Sequence, residues 1–104
     1  MIYDYRGNFQ FEKNSIIQNA LTEWGVYYCG YISSQGTLTP LYIGRAIGEE
    51  VTIRSRLLEH KSSKFWPDVT SFGFQVCTTK SEAEKLEQDQ IKKFQPKYNQ
   101  VGKI

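Results

Sequence analysis

Apolar positions along the chain fall into short runs with two different spacings. Residues 25–33 are rich in aromatic and branched side chains and predict a strand. One face would carry Val26, Tyr28 and Ile32, the other Tyr27, Cys29 and Tyr31. Both faces are largely apolar, so the strand is expected to be covered on both sides. Ser34-Gln35-Gly36 supplies a turn, and a second strand over residues 38–44 completes a hairpin, with Pro40 near an edge or bulge. Residues 70–77 predict a third strand with Phe72, Phe74 and Val76 on one face.

Helical spacing occupies the remaining segments. Asn14 or Ser15 would cap a short helix running through Ile16, Ile17, Ala20 and Leu21 to Trp24, where Gly25 stops it. Residues 49–61 predict a second helix, with acids in its first turn and bases toward its end, as the helix dipole prefers. Ser81-Glu82-Ala83-Glu84 matches a capping box, and the helix it opens should reach Phe94, with Pro96 ending it. Residues 1–12 read as an irregular or extended lead-in. The expected architecture is α+β: a three-stranded antiparallel sheet flanked by helices. A single domain over 1–104 is expected, with its core in 25–99 and residues 1–24 as an N-terminal extension bearing a short helix.

The last helix contains one position that breaks its pattern. At about 100° per residue, Ala83, Leu86, Ile91 and Phe94 gather on one arc, and Glu87 falls inside it. A core-facing carboxylate costs several kcal/mol unless it is paired or bound to metal. Glu87 is therefore expected either in a polar pocket, where it could hold a cation, or snorkelling at the core rim. On the preceding helix Arg56 and His60 are four apart and share a face, which suits holding a phosphate and managing a proton. Such pairs are also common on solvated helices. Tyr27 and Tyr42 lie on paired strands, where two Tyr usually serve packing.

Composition narrows the class. At 104 residues, 39% hydrophobic and 14% aromatic, the chain is a folded globule rather than a disordered segment. No apolar run approaches the roughly 20 residues of a membrane helix, and no secretory leader pattern opens the sequence, so a cytoplasmic location without membrane association is expected. Cys29 and Cys77 are far apart, and there is one His, so zinc has too few soft ligands and two buried thiols are expected. The net charge of +2 excludes nothing. Its distribution is more informative. Arg45, Arg54, Arg56, Lys61 and Lys64 lie in one stretch, and Lys92, Lys93, Lys97 and Lys103 close the chain without an acid. Both sets suit phosphate contacts or an ordinary solvated surface.

Taken together and in order, these elements resemble the GIY-YIG nuclease superfamily. Gly25-Val26-Tyr27 and Tyr42-Ile43-Gly44 resemble its two naming triplets, with Val in place of Ile in the first. Arg56-Leu57-Leu58-Glu59-His60 resembles its Arg-x-x-x-His, Ala83-Glu84-Lys85-Leu86-Glu87 the segment with its metal-binding Glu, and Gln95-Pro96-Lys97-Tyr98-Asn99 its closing Pro-x-x-Asn. The stretches between the triplets and before Arg56 are longer than usual in the family, which leaves Arg54 as a rival to Arg56.

The resemblance implies a divalent-metal-dependent endonuclease that hydrolyses phosphodiester bonds in DNA, with RNA also open, leaving a 5′-phosphate and a 3′-hydroxyl. It implies one Mg²⁺ or Mn²⁺ held by Glu87, and a catalytic set of Tyr27, Tyr42, Arg56, His60, Glu87 and Asn99; Tyr27 is the candidate general base, with the division of labour among Tyr27, Tyr42 and His60 left open. Arg45, Arg54, Lys61, Lys64 and Lys97 would contact the nucleic acid. Cleavage of both strands would take a homodimer or two encounters. The alternative is a non-catalytic nucleic-acid-binding module of the same fold.

Overall fold

Strand β2 (Gly25–Ile32) is the element on which the rest is assembled. It pairs antiparallel on one side with β3 (Leu38–Ala46) and on the other with β4 (Ser71–Val76). The hairpin register slips between Cys29 and Gly30, so that Leu41 is the extra residue of a bulge beside Pro40 on an edge strand. In this computed structural model, which describes residues 1–100, a further strand β1 (Arg6–Gln10) lies along β4.

The sheet therefore has four strands, in the order β1-β4-β2-β3, and not the three expected. Of the residues in β1, only Phe9 is partly buried, with its ring 5.4 Å from Phe72 and 6.2 Å from Phe74. A strand with one apolar anchor shows no alternation. It forms because β4 offers an open row of backbone hydrogen-bonding groups on that edge.

Both faces of β2 are covered, as its composition requires. Tyr27 and Cys29 pack with Phe72, Phe74, Ile16, Ile53 and Leu57 beneath helices α1 (Lys13–Asn19) and α2 (Ile53–Ser63). On the other face Val26, Tyr28, Ile43 and Cys77 pack with Ala83, Leu86 and Ile91 of helix α3 (Lys80–Phe94). Cys29 and Cys77 are buried free thiols. Phe94, grouped with this core by its spacing, is 42% exposed at the end of α3.

Three helices differ at their boundaries from the periodicity. Helix α1 ends at Asn19 rather than Trp24 and begins after Glu12, which makes no side-chain cap. The carbonyls of Leu21 and Glu23 instead accept from the amides of Arg54 and Ile53, satisfying the first turn of α2. Helix α2 starts at Ile53, not at residue 49, because Glu50 sits at φ 61, outside helical space, and Thr52 forms a reciprocal capping box with Ser55. Glu49 and Glu50 thus precede the helix. Helix α3 is capped by Thr79 with Glu82, two residues ahead of Ser81. Beyond Pro96 a short turn, α4 (Lys97–Gln100), folds back onto β3. Lys103 lies outside the described residues.

Candidate active site

The hairpin presents its two triplet tyrosines toward α2. Tyr27 is fully buried, and its hydroxyl lies 2.8 Å from His60 Nε2. Tyr42 is part-exposed on the edge strand, its ring 6.2 Å from Tyr27 and 5.0 Å from His60. Gly44 makes this possible. A Cβ there would collide with the Tyr27 hydroxyl and stand 2.9 Å from the Tyr42 ring, so a side chain would push the phenols apart. The closing glycine of the second triplet thus gives space to the tyrosine of the first.

Arg56 and His60 share one face of α2, as their spacing predicts. Arg56 pairs with Glu59 at 2.9 Å, and its guanidinium reaches the field of both phenols. Burial pushes the Tyr27 phenol far above its ordinary range, the Tyr42 phenol adds to the rise, and Arg56 pulls it back. Burial also raises Tyr42, Arg56 opposes it, and the carboxylate of Glu87 adds to it. Glu87, on α3, is thus within electrostatic range of the Tyr42 phenol. Burial, then the charge of Arg56, lowers His60 to about 4, so its ring is neutral at physiological pH. Its Nδ1 is buried and has no hydrogen-bond partner.

Glu87 is 14% exposed and pairs with Arg45 Nη1 at 2.6 Å. It is neither deep in the core nor snorkelling freely. Among the described residues no group of three His, Cys, Asp or Glu is placed to share a metal ion, so Glu87 stands as a lone carboxylate. Asn99 donates through Nδ2 to the Ile43 carbonyl at 2.9 Å and accepts at Oδ1 from the Ile43 amide at 2.8 Å. Its amide acts as a short extra strand on the open edge of β3, between Tyr42 and Gly44.

The other basic residues divide. Lys64 lines the hollow beside Tyr42, about 390 Å³ in volume, together with Arg56, His60, Trp66 and Tyr98. Arg56 also faces a second hollow of about 470 Å³ that contains Arg45 and Lys80. Arg54 points elsewhere, its Nε donating to the Ala20 carbonyl at 3.0 Å and tying α2 to α1. Arg56 is therefore the guanidinium at the phenols. Lys61 lies over the Phe11 ring at 5.1 Å, and Lys97 pairs with Asp68 at 3.0 Å.

Sequence reasoning missed Trp66 and Tyr98. The Trp66 ring lies 5.1 Å from both Tyr42 and His60 and 5.4 Å from Tyr98, closing the hollow with aromatic surface. An aromatic before Pro67 in a loop has no periodicity to mark it. A larger cavity of about 510 Å³ lies near Trp24 and Thr52, but it holds Glu23 and Glu50 against one base, Arg6, and neither hairpin phenol, a poor setting for a polyanion.

Neither a protein-family model nor a curated protein matches this sequence. Solved structures do. The chain is similar to the GIY-YIG N-terminal endonuclease domain of UvrC from Thermotoga maritima bound to magnesium as its catalytic divalent cation. Identity is 27% over 83% of this chain and 93% of that one, with a TM-score of 0.62. It is equally similar to a tyrosine-to-phenylalanine variant of that domain bound to its catalytic divalent cation, at 26% identity, TM-score 0.64, covering 83% of this chain and 92% of that one. The fold matches that of a nuclease domain, and the chain is a domain of the GIY-YIG superfamily. No helix among the described residues is long and apolar enough to cross a membrane.

Proposed function

We propose that the chain is a divalent-metal-dependent endonuclease that cuts phosphodiester bonds in DNA, leaving a 5′-phosphate and a 3′-hydroxyl. The observation that carries this reading is the convergence of Tyr42, Arg56 and His60 on one hollow, with Tyr27 buried behind them against His60 and Glu87 in electrostatic range of Tyr42. A largely covered, lone carboxylate suits a hard cation that keeps most of its waters, and does not suit zinc. Glu87 would hold Mg²⁺ or Mn²⁺, which when bound supplies charge stabilisation to the phosphate and the departing 3′ oxygen.

The chain's own groups divide the remaining work. Arg56 grips non-bridging phosphate oxygens with a charge that does not titrate. Tyr42, part-exposed on the hollow, would first lose its hydroxyl proton to solvent, helped by the charge of Arg56, and as the phenolate would take the proton of the attacking water. The sequence favoured Tyr27 for that task, but a fully buried phenol engaged by His60 and held far above its ordinary pKa does not reach the water. Tyr27 supports Tyr42 instead. In the tautomer with its proton on Nε2, His60 donates to the Tyr27 oxygen, leaving the Tyr27 hydroxyl hydrogen free to turn toward Tyr42. In that tautomer the buried Nδ1 is a bare lone pair rather than a stranded donor. Asn99 is a positioning residue that fixes the β3 edge on which Tyr42 stands.

Nicking of a supercoiled plasmid with Mg²⁺, with and without chelator, tests the reading. Metal-dependent nicking is expected. DNA binding without nicking in any divalent ion would leave only the non-catalytic module.

A further inference from the structure

Phe65 is 87% exposed, more than any other large apolar side chain among the described residues. Its neighbours fix it there. On one side Lys64 ends α2, its amide donating to the His60 carbonyl at 2.8 Å. On the other side Trp66 is locked among Tyr42, His60 and Tyr98, and its carbonyl accepts from the Val69 amide at 3.1 Å. The backbone on either side of Phe65 is thus held, and the ring projects outward because the chain packs its neighbours inward. A phenyl ring left in water in this way contributes little to folding.

The setting of the ring suggests what covers it. Lys64 lines the hollow that holds Tyr42 and Arg56, and among the described residues it forms no ion pair. Phe65 thus stands in the chain between Lys64 and Trp66, both of which line the hollow of Tyr42 and Arg56, and an exposed ring next to a cation that lines such a hollow suits an unpaired nucleotide: the cation follows the backbone and the ring stacks on a base. An intact duplex offers no free base face to such a ring, since its bases are stacked on each other.

We infer that Phe65 is a stacking platform for an unpaired base beside the scissile phosphate, so that the substrate is DNA with single-stranded or unstacked nucleotides rather than continuous duplex. This rests on the nuclease reading for the position of the scissile phosphate, but its test needs no cleavage. Affinity of the protein in chelator is measured by fluorescence anisotropy for a single-stranded oligonucleotide and for the duplex of the same sequence. Phe65→Ala is expected to weaken single-strand binding about tenfold, the loss of one base–aromatic stack, and to leave duplex binding within about twofold. Phe65→Trp should restore single-strand binding, with indole fluorescence quenched on saturation.

Equal losses on both DNAs, or no loss on either, would overturn the platform and leave the nuclease reading standing. Absence of binding to any DNA would remove both.

Discussion

Arg45 and Glu87, 42 residues apart in sequence, form an ion pair of 2.6 Å between edge strand β3 and helix α3. The carboxylate best placed to hold a cation already holds one, supplied by the residue directly after the second triplet. The guanidinium is 40% exposed and the carboxylate 14%, so Arg45 is the partner free to swing into solvent. A divalent ion held by Glu87, as proposed, would therefore compete with Arg45 for the same oxygens.

The first prediction follows from that competition. Arg45→Ala should tighten Mn²⁺ binding about fivefold, the worth of a partly exposed ion pair, in calorimetric titration without DNA. Glu87→Gln should abolish it. Unchanged or weaker binding in Arg45→Ala would show that Arg45 supports the cation site instead of competing for it.

The two arginines of α2 should separate cleanly. Arg56→Ala, at the phenols, should lower nicking by about 100-fold, as when an oriented charge on the reacting phosphate is removed, with little change in unfolding midpoint. Arg54→Ala loses the hydrogen bond to the Ala20 carbonyl and should cost about 1 kcal/mol of stability while retaining nicking. Urea denaturation beside a nicking assay on both variants checks the pair. The reverse pattern would mean that the Arg-x-x-x-His element has been placed on the wrong arginine.

His60 gives a pH prediction. Its folded pKa is depressed, so the folded state binds fewer protons than the unfolded state between about 4 and the ordinary histidine value near 6.5. Its contribution to stability is therefore complete above about pH 6.5 and is lost as pH falls toward 4, on the order of 2 kcal/mol. Denaturation from pH 7 to 4.5 should show this slope in the wild type and a shallower one in His60→Gln, other titrating groups being common to both. Parallel slopes would mean that His60 is not held neutral by its surroundings.

The hairpin, the order of its helices and the facing of Arg56 with His60 were legible in sequence because each depends on local period. Residues at i and i+4 share a helix face whatever else happens, and alternation assigns the two faces of a strand. Helix starts were less legible. The capping box was expected at Ser81, and only the backbone shows that Thr79 is the residue whose oxygen meets the Glu82 amide. Strand β1 was invisible because pairing with β4 depends on an open edge and not on its own side chains.

By itself, the sequence determined which residue types this domain would bring to its chemistry: two phenols, a guanidinium, an imidazole and a misplaced carboxylate, each announced by period or by order along the chain. The tertiary structure alone decided which of them touch. It buried Tyr27 and left Tyr42 at the hollow, turned Arg54 toward α1, closed Arg45 on Glu87 and set Trp66 over His60. Such contacts join elements distant in the chain, and their partners are chosen by how sheet and helices pack, which no local spacing encodes.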